Sequence, residues 1–420
     1  MRIQIMKDIT MATRRTFILL LYLLLYTCAK GENAGGMQQG ANNVLPDDTA
    51  TWTGRMQRRL DSLVNLPLFK TTQLGLYVRD LTDRRDLFCI NAQHRMRPAS
   101  NQKIVTAVAA LHYFNDEYLL RTRMLLTGEV RDSVLWGDLC FIGGMDPLFS
   151  QGEVLQMARA LKEIGVDSIA GIVRIDLTMK DQNPWGWGWC WDDDMTPLSP
   201  LLVDKKDHFA NELISSLRYA AVKGIDIDRI VQAPCPSEAR LIYEIGHSVD
   251  QVLPRMMKKS DNYYAESLFY QLAALSGKKA AGQKEARGYI DALIRKVGLT
   301  PAHYEIADGS GVSLYNYLTP ELLIRLLEYA WREDHIRQRL YPSLPIAGVD
   351  GTLEKRMQKT PAQGNIHAKT GTVSGVSSLS GYATSPEGHV IAFSIINMGI
   401  PRAQVGRDWQ DKVCIALCTP

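Results

Sequence analysis

Several signatures are missing from this chain of 420 residues. Its eight histidines never fall into His-Glu-x-x-His or another metal-ligand spacing, so neither a metal nor a cofactor is expected, and each histidine is read as a surface or core residue. No Gly-x-Ser-x-Gly string occurs, which excludes the nucleophile elbow of the α/β-hydrolases. Neither sign of charge dominates. Of the 48 basic and 45 acidic residues, the first 28 positions hold four basic groups (Arg2, Lys7, Arg14, Arg15) and one acidic group (Asp8), which leaves 44 of each sign. No electrostatic case for nucleic acid remains. Long apolar runs are missing too. Phe17 to Tyr26 covers ten residues, too few to cross a bilayer but suited to a signal peptide, with Arg14-Arg15 before it and Thr27-Cys28-Ala29 after it. Residues 1–29 are therefore read as an export signal to the periplasm or cell envelope, and a lipid on Cys28 would tether the chain to a membrane. The other six cysteines (Cys89, Cys140, Cys190, Cys235, Cys414 and Cys418) are an even number in an oxidising setting. A chain this long buries enough core to need no bridge, and the helical spacing of Cys414 and Cys418 marks them as buried apolar residues.

What the chain does contain is three short strings in a fixed order: Ser100-Asn101-Gln102-Lys103, Ser260-Asp261-Asn262 and Lys369-Thr370-Gly371. Together they read as an acyl-transfer site built on a serine nucleophile. A second Ser-x-x-Lys, from Ser276 to Lys279, follows Ser-Asp-Asn and so breaks the order, whereas Ser100 heads a helical pattern through Ile104, Val105, Val108, Ala109 and Leu111. A hydroxyl is a weak nucleophile and needs a base, and residues three apart on a helix share a face, so Lys103 lies beside Ser100. Lys103 takes a proton only if neutral, which calls for burial and a nearby cation, for which Lys369 is the candidate. The helix start also turns the Ser100 N–H toward a developing oxyanion. Ser260 would relay a proton to the leaving group from an interhelical turn, and Asn262 would hold the substrate's backbone. Lys369 and Thr370 would bind an anionic substrate end from an antiparallel edge strand. Gly371 would let the ligand lie against that strand, and the Thr372 N–H would complete the oxyanion hole.

With these strings in place, the chain resembles the penicillin-binding serine D-alanyl-D-alanine carboxypeptidases, class C low-molecular-mass type, which also act as endopeptidases. Gly143 to Pro147, Trp189 to Asp193, Asp308 to Gly311 and Gly348 to Leu353 are similar to further strings of that type, and the resemblance covers roughly residues 55 to 415. It implies hydrolysis of the terminal D-Ala-D-Ala bond of peptidoglycan stem peptides through an acyl-enzyme on Ser100. It also implies β-lactam antibiotics as covalent inhibitors, and it leaves assembly into several copies open.

The expected fold is α/β of the α+β kind: a penicillin-binding-protein or β-lactamase-like transpeptidase domain whose antiparallel sheet is flanked by helices and split by an inserted, mostly-β subdomain. Residues 30–50 read as a tether, 51–115 and 208–420 as the catalytic domain, and 116–207 as the insertion. That insertion is short, so an open groove admitting crosslinked peptides is expected. Trp185 to Trp191 is read as packing of the insertion on the core, with stacking on a glycan as the alternative. A β-lactamase is the rival enzyme, but no Glu-x-Leu-Asn string carries its deacylating glutamate. An inactive wall-binding or penicillin-sensing protein is the rival of another class, and the intact strings argue against it.

Overall fold

The computed structural model describes residues 50–193 and 195–420, so the expected signal segment, most of the tether and Cys28 lie outside the described residues. Helix α1 (Trp52–Val64) is capped by the Thr51 hydroxyl, which accepts from the Gly54 amide, and leads into β1 (Gln73–Asp80) and β2 (Arg85–Ile90). A 3₁₀ turn, Ala99–Asn101, runs into α2 (Gln102–Tyr113). Next come β3 (Leu119–Leu126), β4 (Glu129–Arg131), β5 (Val134–Trp136) and β6 (Leu139–Ile142), then α3 (Gln151–Glu163), β7 (Ser168–Ile169) and β8 (Val173–Asp176). Helix α4 (Phe209–Tyr219), β9 (Ile230–Gln232) and β10 (Arg240–Ser248) follow. A run of helices, α5 (Val249–Lys258), α6 (Asn262–Ala274), α7 (Gln283–Lys296), α8 (Pro320–Arg332) and α9 (Asp334–Ser343), precedes β11 (His367–Val373), β12 (Val376–Thr384), β13 (Val390–Met398) and α10 (Ala403–Cys418).

The first sheet has the order β11-β12-β13-β1-β2 and is antiparallel throughout. Both faces are covered, which is why β12 and β13 are nearly continuous in buried residues instead of alternating. One face packs against α2, α5, α6, α7, α8 and α9. The other packs against α1 and α10 through Trp52, Met56, Leu60, Trp409, Val413 and Leu417. Helix α2 is buried all round, from Gln102 to Leu111, as expected of a helix at the centre of a layer. Cys414 and Cys418 are buried, as their spacing predicts.

The second sheet, in the order β10-β3-β6-β8-β9, is mixed: β6, β8 and β9 pair in parallel, the others antiparallel. Here the expected boundary at residue 207 needs correction, because the second layer runs on to Ser248. Phe209, Leu213 and Leu217 of α4 belong to this layer's own core with Phe141, Phe149 and Leu161, the Phe141 and Phe209 rings lying 5.0 Å apart. Strands β9 and β10 complete its sheet. The layer is therefore larger than an insertion ending at 207 and carries two helices, not one.

Candidate active site

The nucleophile turn is positioned by backbone that few residues tolerate. Ala99 has φ +47, left-handed for a residue with a side chain, and a Cβ on Gly311 (φ +86) would lie 1.9 Å from the Ala99 carbonyl oxygen. The residue before Ser100 is thus held by the Asp308–Gly311 loop. On its other side, a Cβ on Gly371 would lie 2.2 Å from Ser378 Oγ and 2.9 Å from both Pro98 O and Ser100 N. The absent side chain of Gly371 accordingly makes room for the nucleophile turn against β11, and not, as the sequence suggests, for a ligand against the strand.

Ser100 and Lys103 sit on one helical face, with Lys103 Nζ 3.0 Å from Ser100 Oγ. The fully buried ammonium also donates to Asn262 Oδ1 (2.7 Å) and the Ser310 carbonyl (2.7 Å). These three acceptors are neutral. Burial therefore pushes Lys103 down to about 8, against the more distant charges of Asp308, Glu266 and Asp261, which pull it up. Lys369, also fully buried, is pushed well below the ordinary ammonium range, first by burial and then by the Lys103 charge. The expected repulsion between the two cations is present.

Ser260 closes the turn between α5 and α6 with φ +58, and its hydroxyl lies 2.9 Å from Lys369 Nζ. It is therefore paired with Lys369 and not with Lys103. Asp261 anchors the same turn: burial alone would raise its carboxyl, but Lys205 and Arg255, each 2.9 Å away, hold it below the usual carboxylate range. Asn262, at the start of α6, spends its carbonyl on Lys103, while its amide lies 3.3 Å from Met195 Sδ.

Strand β11 is the edge of the first sheet, as expected, and brings Lys369, Thr370, Gly371 and Thr372 past the serines. Lys369 also donates to the Thr370 carbonyl (2.8 Å) and is too deeply buried to meet a carboxylate directly. The Thr370 hydroxyl lies 2.8 Å from that of Thr352, and Thr372 Oγ1 accepts from Arg407 at 3.3 Å. A cleft of ≈ 590 Å³ opens here, lined by Ser100, Ser260, Thr352, Lys355, Arg356, Thr370, Gly371, Thr372, Gln404 and Arg407. That volume suits a small peptide end.

Several contributors escape the sequence reading. Glu266, four residues after Asn262 on α6, accepts from the Gly309 and Ser310 amides (3.1 and 2.8 Å to Oε1) and so fixes the carbonyl that receives Lys103. Burial, then the Asp308 charge, pushes its carboxyl up to about 8. A lone acid in the apolar run Tyr263 to Tyr270 was the available signal. Asn101 donates to the Lys369 carbonyl (2.9 Å) and ties the first string to the third. Arg407 faces the cleft together with Lys355 and Arg356, and of the three it is the one bonded to Thr372. The second Ser-x-x-Lys plays no part, since Ser276 follows the end of α6. Among the described residues one group has metal-ligand geometry, Asp80, Asp83 and His389, at the far end of β1 from the site; Asp80 already accepts from the Thr82 and Asp83 amides and lies 2.8 Å from His389 Nδ1.

The chain is similar to several known proteins. The chain is 26% identical over 408 residues to D-alanyl-D-alanine carboxypeptidase DacB of Haemophilus influenzae, covering 77% of this chain and 84% of that protein. It is 26% identical over 460 residues to the D-alanyl-D-alanine carboxypeptidase of Actinomadura sp. (strain R39), covering 86% and 84%. The crystal structure of penicillin binding protein 4 (dacB) from Haemophilus influenzae superposes with a TM-score of 0.77 at 23% identity, covering 85% of this chain and 98% of that one. A model of the D-Ala-D-Ala carboxypeptidase 3 (S13) family matches residues 56–212 and 203–417, nearly the whole described chain, and to that family of serine hydrolases this protein belongs.

Proposed function

We propose that this protein removes the terminal D-alanine from peptidoglycan stem peptides by way of an acyl-enzyme on Ser100. The observation that carries the reading is the bonded set Ser100–Lys103–Asn262 facing the bonded pair Ser260–Lys369 across one cleft. Ser100 Oγ attacks the carbonyl carbon of the penultimate residue while neutral Lys103 takes its proton. The oxyanion lies toward the Ser100 and Thr372 amides. When the C–N bond breaks, the proton that Lys103 took passes by way of the Ser260 hydroxyl, which Lys369 orients, to the departing amine, and Lys103 is neutral again. Water then repeats the attack on the ester with Lys103 again as base.

The substrate carboxylate is bound by Thr370 and Thr372 with Arg407 supplying the exposed charge, while Lys369 acts from below by positioning Ser260. A β-lactam presents a strained amide and a carboxylate in the same relation and so acylates the same serine. The enzyme works outside the cytoplasm on the cell wall, in the periplasm if residues 1–29 are its signal, and at a membrane if Cys28 carries lipid. The assay is release of free D-alanine from a soluble stem pentapeptide. Wild type should release it and Ser100→Ala should not; release by the alanine variant, or none by wild type, contradicts the reading. If a C-terminally amidated peptide were cut as fast as the free acid, the carboxylate anchor would be wrong.

A further inference from the structure

The segment Trp185-Gly186-Trp187-Gly188-Trp189 lies next to the site, and only part of it packs on the core. Trp189 does: its indole N–H donates to Asp308 Oδ2 at 2.9 Å, and Asp308 also accepts from the Gly311 amide (2.7 Å) in the loop that positions the nucleophile turn. The glycines face inward. A Cβ on Gly186 would lie 2.3 Å from the Trp189 ring, and one on Gly188 (φ +78) 2.5 Å from the Tyr315 ring and 2.7 Å from Ser313 Oγ. The tryptophans between and after them face out: Trp185 is 53% exposed, Trp187 51%, Trp191 97% and the neighbouring Tyr315 49%. The Trp187 and Tyr315 rings meet at 5.0 Å and 55°.

Burying indoles is strongly favoured, so a loop whose task was only to close over the core would turn these rings inward and leave the glycines outside. Here the arrangement is reversed, and beyond these rings Met195 Sδ lies 3.3 Å from the Asn262 amide. The exposed rings are set at an angle as separate flat faces. Asp192 is exposed beside them, which disfavours an anionic lipid surface and suits hydroxyl groups.

We propose that Trp185, Trp187 and Tyr315 form a saccharide-binding platform that takes the N-acetylated amino-sugar strand from which the stem peptides hang, with pyranose C–H faces stacked on the Trp187 and Tyr315 rings. This rests on the reading of the cleft as a stem-peptide site. It makes the alternative reading of the tryptophan run correct for these rings, while Trp189 follows the packing reading. The platform holds the polymer while the peptide reaches Ser100, so it should matter for wall fragments and not for free peptides.

The test is titration of the full mature protein with peptide-free strands of alternating N-acetylglucosamine and N-acetylmuramic acid, followed by tryptophan fluorescence and calorimetry. Wild type should bind, and Trp187→Ala and Tyr315→Ala should each weaken binding about tenfold or more. Both variants should lose D-alanine release from intact wall sacculi by a similar factor while kcat/KM on a soluble sugar-free pentapeptide stays unchanged. Absence of strand binding by a wild type that still cuts the soluble pentapeptide overturns the platform alone. Inactivity of wild type on that peptide overturns the underlying reading. Equal losses on both substrates would show that the loop only positions the site. Variants that instead lose self-association or vesicle binding, with strand affinity intact, would reassign the surface.

Discussion

Lys103 is a base surrounded by neutral acceptors, and its behaviour follows from that. Its amine must be neutral to take the Ser100 proton, and burial brings it down to about 8, so acylation should climb by about tenfold per pH unit below that point and level off above it. A rate that fell with rising pH between 6 and 8 would contradict the assignment. Lys103→Ala should slow acylation by roughly a hundredfold or more, read by stopped-flow with a chromogenic β-lactam. Glu266 is a positioning residue, held near neutrality by its burial, so Glu266→Gln should keep most of the activity because the amide oxygen still accepts from Gly309 and Ser310. Glu266→Ala leaves two buried N–H groups unpaired at about 1–3 kcal/mol each and should cost tenfold or more in acylation; equal losses in both variants would mean the charge itself is used. Lys103 was legible because i and i+3 share a face. The pairing of Ser260 with Lys369 was not, since contacts between three distant strings depend on how an edge strand passes a turn, which spacing does not encode.

At the scale of elements, the three strings lie on the expected pieces: a helix start, an interhelical turn and an edge strand. Local pattern sufficed there because each piece has its own period or punctuation. The extent of the second layer is not legible in the sequence for a physical reason. Strands β9 and β10 are half-exposed with weak alternation, and the amphipathic helix α4 looks the same from sequence whether it packs on one layer or the other. Its partner, the Phe141 and Phe149 side of the second sheet, is set by tertiary structure alone. Gly371 gives the sharpest element-scale prediction. Gly371→Ala would press β11 away from the Ser100 turn, and a shift near 1 Å at a reacting group costs on the order of a hundredfold. Thermal unfolding should show a folded variant with acylation lost; unchanged acylation would mean that β11 and the nucleophile turn are not in the contact described.

For the whole molecule, two layers meet at the catalytic turn. Lys205, in the second layer between β8 and α4, pairs with Asp261 at 2.9 Å, so the Ser260 turn is held from both sides. The second layer reaches residue 248, which removes the argument that a short insertion opens the groove, and endopeptidase action now rests on a cleft of ≈ 590 Å³ with an exposed aromatic flank. Purified crosslinked muropeptide dimers should be converted to monomers; terminal D-alanine lost with dimers untouched would limit the enzyme to carboxypeptidase action. The balanced charge and the three ordered strings were readable in the sequence. The aromatic flank was not, because exposure of a tryptophan depends on which way its neighbouring glycines turn.

Mass spectrometry of the mature protein after incubation with benzylpenicillin tests the central claim most directly. The account predicts one covalent penicilloyl adduct, on the peptide containing Ser100, absent in Ser100→Ala and slow to form in Lys103→Ala. An unlabelled wild type, or an adduct on any other residue, would contradict it.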